Sequence, residues 1–497
     1  MTILQSFSRP TQHVSWWASL RAWQGWGWLG KICYGLAAML ALSWVADGWG
    51  YDDPFITYRY AENLSHGLGF VYNPGERVLS TTTPLFTLVL AIFVRVFPDL
   101  PRLAVWLGAA SLVAGSLFLW DLARSWEAPL AGWVSLLLYP SFPLLVTTLG
   151  SEMPLYIAWI LGSFACYARQ RYFSAAMLNG LAVLTRPDGM IVPLLLAVHF
   201  LSQKKRPIPW AAIFAFLIVV LSWFVFAWLY FGSPLPVTLM AKQQQGTMEI
   251  SQRFAQGLLT TFRPYSSRWT YWVEAGLALV GLGFAGWRAR RWLLLLAWAL
   301  IYFVAYTVLG VSRYFWYYAP LVPALIALTG LGVAALVGIG GRAISRLSQP
   351  VPATLLAILL ILPSFVGQAL GVQRSLSQTA RLEIYRAVGK WLDANLPAQA
   401  NVGTLEVGII GYYAHRPMVD FAGLLQPDTA QQINPHSVYD DIAVYAAFNH
   451  QPDYLVLQEG LFPKLEALYV AQHCQLVRTF GAEEYGYPHN LKVYSCR

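Results

Sequence analysis

Apolar runs, closed in pairs by one to three basic residues, follow one another along the first 373 residues of the chain. Runs at 32–49, 103–121, 129–149, 153–168, 173–187, 189–202, 209–231, 271–287, 292–311, 315–338 and 352–373 reach or approach the ~20 residues that cross a bilayer as a helix. Arg124, Arg169/Arg171, Lys204-Lys205-Arg206, Arg288/Arg290/Arg291 and Arg342/Arg346 each follow a pair of runs. Basic turns stay on the cytoplasmic side, so the pattern predicts about eleven transmembrane helices, N-terminus inside and C-terminus outside. The scheme needs the apolar stretch 84–97 to lie along the outer face as a re-entrant or juxtamembrane helix. Spacing of four among Ile250, Phe254, Leu258 and Phe262 predicts an amphipathic helix in a long outer loop. Trp16 to Trp28 reads as an interfacial helix leading into the first span, with no cleavage site after it.

From Thr379 the pattern changes. Ala380–Leu396 predicts a helix with Ile384, Val388, Trp391 and Leu392 on one side, and 401–405, 452–457 and 491–495 predict strands. The chain therefore divides into a membrane module, 1–373, and a C-terminal extracytoplasmic α/β domain, 374–497. Gly403, Gly408 and Gly411 lack dinucleotide-fingerprint spacing and are expected at turns.

Composition agrees with the hydropathy. The 497 residues are 57% hydrophobic and 11% charged, against about 25% charged in soluble domains. The net charge of +9 sits in short clusters between apolar runs, which is topology signalling and not a nucleic-acid footprint. Cys33 and Cys166 fall inside apolar runs and read as packed thiols. Cys474 and Cys496 lie in the polar tail without zinc spacing, and an extracytoplasmic tail makes a disulfide between them the expectation.

This topology gathers the unusual polar motifs on one face. They are Asp52-Asp53, Gly150-Ser151-Glu152, Arg186-Pro187-Asp188-Gly189, the loop from Tyr230 through Lys242, and Ser312-Arg313-Tyr314. Adjacent carboxylates at a membrane boundary are costly and mark ion, proton or substrate handling. Beside a lipid-phosphate-linked donor, Asp52 or Asp53 suits a general base, and Lys242, Arg59 or Arg313 suits the departing phosphate. His415, Asp420, Asp428, His436, Asp440 and Asp441 read mainly as solvated residues of the outer domain.

The run Asp52-Asp53-Pro54-Phe55-Ile56-Thr57-Tyr58-Arg59-Tyr60-Ala61-Glu62-Asn63, followed by Gly67 to Arg77, resembles the first outer loop (52–100) of GT-C membrane glycosyltransferases. It is most similar to the mycobacterial-type terminal arabinofuranosyltransferases and their uncharacterised bacterial relatives. Arg186 to Gly189, Phe231 to Pro236 with Ala241-Lys242, Arg313-Tyr314-Phe315, and 402–424 extend the match.

The resemblance implies an enzyme of the bacterial plasma membrane. It would move a sugar from a polyprenyl-phosphate donor to a glycan or lipid-linked acceptor at the outer face. Asp52, Asp53 and Glu152 would be catalytic, and Lys242, Arg59, Arg313 and Arg186 would bind donor phosphate. Asp53 and Glu152 would hold a divalent cation (Mg, Mn or Ca). Thr81-Thr82-Thr83-Pro84 and Pro236-Val237-Thr238 depart from the family pattern, which bears on the donor more than on the reaction. Two alternatives remain open at this level. A lipid-linked saccharide transporter would show repeats and midplane charges. A catalytically silent relative would bind glycans through its outer domain.

Overall fold

Proline at a first helical position, where its missing N–H costs nothing, starts several of the helices. The computed structural model describes residues 27–203, 207–344 and 349–496. The expected interfacial helix up to residue 26, the Lys204-Lys205-Arg206 cluster and Arg346 lie outside the described residues.

The principal helices of the membrane module are α1 (Trp28–Val45), α2 (Asp52–Ser65), α3 (Pro84–Phe93), α4 (Leu100–Ser125) and α5 (Pro129–Ser141). They continue with α6 (Met153–Ala168), α7 (Tyr172–Thr185), α8 (Ile191–Ser202), α9 (Trp210–Phe231) and α10 (Val237–Thr247). The remainder are α11 (Phe254–Ser266), α12 (Trp269–Trp287), α13 (Leu293–Leu309), α14 (Val322–Ala343) and α15 (Pro350–Leu376). Among the described residues, six helical stretches, carried by α1, α4, α9, α13, α14 and α15, are long and apolar enough to cross a membrane.

Helix α3 has 10 residues. At 1.5 Å per residue that is about 15 Å, half a hydrocarbon core, too short for a straight span, although α5, α7 and α8 are only two to four residues longer. The amphipathic segment forms α11, and Phe254 packs inward, stacked on Tyr318 at 4.6 Å between ring centres. Helices α12 and α14 pack with backbones almost touching. A Cβ on Gly281 would collide with the Leu328 carbonyl, and one on Gly332 with the Leu277 carbonyl, the small-residue contact by which helices associate in lipid. Cys33, expected as a packed thiol, is exposed on α1, because that helix buries none of its residues.

The tail folds as α16 (Ala380–Asn395), β1 (Val402–Thr404), α17 (Ile409–Ala414), β2 (Met418–Asp420), α18 (Tyr439–His450), β3 (Tyr454–Gln458), β4 (Cys474–Phe480) and β5 (Leu491–Cys496). The sheet order is β2-β1-β3-β5-β4. Strands β2, β1 and β3 run parallel, with helical crossovers between them, and β5 and β4 close the edge antiparallel. Cys474 and Cys496 face each other across β4 and β5 and are disulfide-bonded.

This domain shares a hydrophobic core with the segment from α2 to Tyr72. Phe55, Tyr60, Phe70 and Tyr72 cluster with Leu382, Val388, Val402 and Ile410. Polar clamps reinforce the joint. Asn73 donates to the Met418 carbonyl at 3.0 Å and accepts the Met418 N–H at 2.9 Å, pairing like a strand with the edge of β2. Tyr72 donates its hydroxyl to the Val407 carbonyl at 2.6 Å.

His415 bridges the same joint, 3.7 Å from Glu62 of α2 and 3.5 Å from Asp393 of α16. Glu62, first by hydrogen bond and then by charge, raises the imidazole pKa above its usual value against the burial that lowers it. A raised histidine pKa adds stability below the unfolded-state value near 6.5 that is lost as pH rises through the folded-state value. Thermal unfolding of the tail should show this slope above pH 6.5, and His415→Gln should flatten it.

Candidate active site

Helix α2 sets the geometry. Its first turn carries Asp52 and Asp53, where the positive end of the helix dipole favours carboxylates. Successive helical residues point about 100° apart, so the two acids face different surroundings.

Asp52 turns toward the C-terminal domain. Its carboxylate accepts the N–H groups of Gly408 at 2.9 Å and Ile409 at 2.7 Å, capping the start of α17. A Cβ on Gly408 would strike the Asp52 backbone carbonyl and carboxylate, so only glycine permits this approach. Burial and the nearby Glu406 raise the Asp52 pKa, and the two N–H bonds oppose them.

Asp53 turns the other way, into a cavity of about 340 Å³ also lined by Glu152, Arg186, Asp188, Lys242 and Tyr306. Its Oδ2 accepts from Lys242 Nζ at 2.5 Å. The Asp53 side chain is 31% exposed and that of Lys242 9%, so the carboxylate is the member of the pair that an incoming group reaches.

Lys242 is aimed by the anchorage of α10. Val237 N–H donates to the Leu79 carbonyl at 2.9 Å, and the Thr238 hydroxyl donates to the Ser80 carbonyl. One turn later the ammonium enters an aromatic cage, 4.5 Å from the centre of Tyr314, 5.4 Å from Trp316 and 5.7 Å from Tyr317. Burial works against the charge, but the Asp53 carboxylate and Tyr317 hold the Lys242 pKa above the usual lysine value. Cation–π attraction adds to this in a desolvated cage. Tyr51, the residue before α2, stacks on Trp316 at 4.9 Å and forms part of the same wall.

On the opposite wall, Arg186 ends α7, stopped by Pro187. It donates to Glu152 at 2.7 Å, to Asp188 at 3.2 Å and to the Tyr306 hydroxyl at 2.7 Å. Three of its N–H groups are thus committed, of five on a guanidinium.

A smaller apolar pocket adjoins the cavity through Thr81, Thr82, Pro187, Leu235 and Pro236, and extends to Trp223 and Phe224 of α9. Only three α9 residues (Ala212, Val220, Ala227) are buried, so this route leads toward a helix whose apolar surface is largely exposed. Leu424, from the C-terminal domain, also lines the cavity. The turn carrying it is built by Asp420, which is fully buried and accepts the N–H groups of Ala422, Leu424 and Leu425. Burial pushes the Asp420 pKa up to about 7 against those three bonds. This acid, read as solvated, is instead a turn builder.

Asp53, Glu152, Arg186 and Lys242 therefore meet in one cavity, and Asp52 lies behind it. Two expected phosphate ligands are elsewhere. Arg59 is buried in the domain joint, donating to the carbonyls of Tyr72 at 3.2 Å, Arg416 at 3.0 Å and Gly411. Arg313 reaches away to Thr261 and Gln252, both at 3.3 Å. The difference is testable. Arg59→Ala strands buried carbonyls at roughly 1–3 kcal/mol each and should loosen the tail in limited proteolysis. Arg313→Gln, at an exposed position, should leave melting and any donor response within about twofold.

Asp188 was expected on this face only as part of its motif, with no role of its own, and Tyr306 was not expected there. Asp188 stands in the Arg-Pro-Asp-Gly motif, where its spacing from Arg186 was a usable signal, whereas Tyr306 sits in an apolar run without one. As for a divalent cation, Asp53 is held by Lys242, and Glu152 and Asp188 by Arg186; these three acids line one cavity, but no group of three His, Cys, Asp or Glu among the described residues is placed to hold a metal ion. In this arrangement the carboxylates do not fit a hard-cation site, which draws on several oxygen ligands.

A family model described as a domain of unknown function (DUF8728) matches residues 374–494, and no curated protein sequence matches the chain. Solved structures do. The structure of ArnT from Cupriavidus metallidurans bound to undecaprenyl phosphate superimposes with TM-score 0.63 at 16% identity, covering 94% of this chain and 98% of that one. The archaeal oligosaccharyltransferase AglB from Archaeoglobus fulgidus, in complex with an inhibitory peptide and a dolichol-phosphate, gives 0.57 at 14%, covering 86% and 70%. The Archaeoglobus fulgidus oligosaccharyltransferase in complex with Zn and sulfate gives 0.54 at 14%, covering 91% and 72%. These likenesses show the fold alone: the chain is a polytopic helical membrane protein that shares its helical architecture with those proteins and carries a C-terminal α/β domain.

Proposed function

We propose that the chain is a membrane glycosyltransferase that moves a sugar from a polyprenyl-phosphate donor to a hydroxyl of a glycan or lipid-linked acceptor at the outer membrane face. One observation carries this reading. A single cavity holds a reachable carboxylate, Asp53, beside a buried ammonium, Lys242, and adjoins an apolar pocket leading to lipid-facing α9. The fold, shared with proteins solved with undecaprenyl phosphate and dolichol-phosphate, supports a lipid-phosphate ligand.

In the proposed reaction the acceptor oxygen attacks the anomeric carbon while Asp53 takes its proton. The bond from that carbon to the phosphate oxygen breaks, and its electron pair leaves with the phosphate. Lys242 compensates the growing negative charge from a fixed position, which costs no reorganisation in the transition state. Arg186 positions Glu152 and Asp188 on the opposite wall, and the apolar pocket takes the first part of the polyprenyl chain.

The test is a panel of polyprenyl-phosphate sugars given to purified protein in liposomes, with free polyprenyl phosphate as the product measured. Release dependent on one donor supports the reading and names the sugar. Flipping of a lipid-linked saccharide without any release favours a transporter.

A further inference from the structure

A second large cavity lies at the membrane face opposite the outer domain. Helix α12 begins beside α15, where the Tyr271 hydroxyl donates to the Gly367 carbonyl at 3.2 Å. Its 19 residues then carry the chain about 28 Å to the other face. There the turn Arg288–Arg291 meets the turn Trp126–Ala128 that follows α4, and the two enclose about 310 Å³. That is close to the volume of the Asp53 cavity.

Three guanidinium groups, of Arg288, Arg290 and Arg291, surround this space, and one carboxylate, Glu127, stands 3.6 Å from Arg291. Arg290 makes only a backbone bond, to the Gly286 carbonyl at 3.2 Å, and Arg288 lies over the Trp287 ring at 4.5 Å. Neither has a carboxylate within ion-pairing distance among the described residues. Topology signalling asks only for basic residues on this side, and Arg169 meets that need while fully paired with Asp121. It does not ask for unpaired arginines turned around one concave space. The cavity wall is aromatic, with Phe284 and with Trp126 packed edge-on against Trp292 at 5.1 Å. Leu282, Trp287 and Leu293, exposed around the same turn, continue the surface that faces hydrocarbon.

We infer that this cavity binds the phosphate group of an anionic phospholipid in the leaflet opposite the C-terminal domain. Guanidinium forks match phosphate oxygens two at a time. Basic pockets between helices at this depth take anionic head groups. The adjoining apolar surface makes a lipid the source and not a soluble phosphate. The inference is independent of the transfer reaction.

The test replaces the forks and keeps the charge, so that the topology signal survives. Full-length protein carrying Arg288→Lys, Arg290→Lys and Arg291→Lys is compared with wild type and with Arg124→Lys, on the same face. Native mass spectrometry counts retained phosphatidylglycerol against phosphatidylcholine, and inorganic phosphate is titrated separately. Wild type and Arg124→Lys should retain phosphatidylglycerol, with affinity about tenfold lower in the triple variant as paired hydrogen bonds are lost. Equal retention in all three proteins would overturn the site. Arginine-dependent binding of inorganic phosphate, without retention of phosphatidylglycerol, would overturn the lipid assignment.

Discussion

Asp53→Asn is expected to lower sugar transfer by about 10²–10⁴-fold, the usual contribution of a general base, while the protein stays folded. The amide has the size of the carboxylate and keeps an oxygen facing Lys242, so the 2.5 Å contact can persist as a weaker hydrogen bond. What is lost is the ability to accept a proton from an acceptor hydroxyl. The informative contrast is its neighbour. Asp52→Asn keeps one acceptor oxygen for the Gly408 and Ile409 N–H groups, so its effect should appear first in the docking of the C-terminal domain. Melting and protease resistance should fall in Asp52→Asn and hold in Asp53→Asn, whereas the rate should collapse in the latter. Equal loss of rate with equal loss of stability in both would merge the two roles that the structure separates.

The second large effect belongs to Lys242. Removing one preorganised charge or donor from a developing anion costs about 10²–10³-fold in rate, and Lys242→Met should show a loss of that order. Methionine fills much the same volume among Tyr314, Trp316 and Tyr317, so the cage stays packed. The loss should appear in use of the donor and in retention of free polyprenyl phosphate. Lys242→Arg should recover part of it, since it restores the charge with a different reach. A Lys242→Met protein with unchanged donor dependence would remove this side chain from the phosphate site.

Much of this arrangement was legible in the chain. The eleven apolar runs are helical over most of their length, six of the helical stretches among the described residues are long enough to span, and 84–97 holds a helix of only 10 residues. Cys474 and Cys496 signalled their bond by standing alone in a polar tail. The meeting of Asp53, Glu152, Arg186 and Lys242 followed from topology, because four loops on one face must share a small area. The division of labour between Asp52 and Asp53 was not legible. It depends on α17 docking from more than 350 residues away, and no local pattern encodes that contact. Arg59 misled for the same reason, as its three carbonyl partners come from Tyr72 and from the distant Gly411 and Arg416. Strand β2 is three residues long, and β4 is mostly exposed with little alternation, so neither carried a period to read. Tyr306 lay hidden because a hydroxyl in an apolar run looks like packing until Arg186 and Asp188 are seen beside it.

The most direct measurement is the initial rate of sugar transfer in proteoliposomes for wild type and Asp53→Asn side by side, using the donor that the panel identifies and matched protein shown to be folded. The account predicts transfer with release of polyprenyl phosphate by wild type and a rate at least a hundredfold lower, on the order set by loss of a general base, for Asp53→Asn. Wild-type transfer by the variant would contradict it, because the most exposed carboxylate of the cavity would then have no part in the reaction.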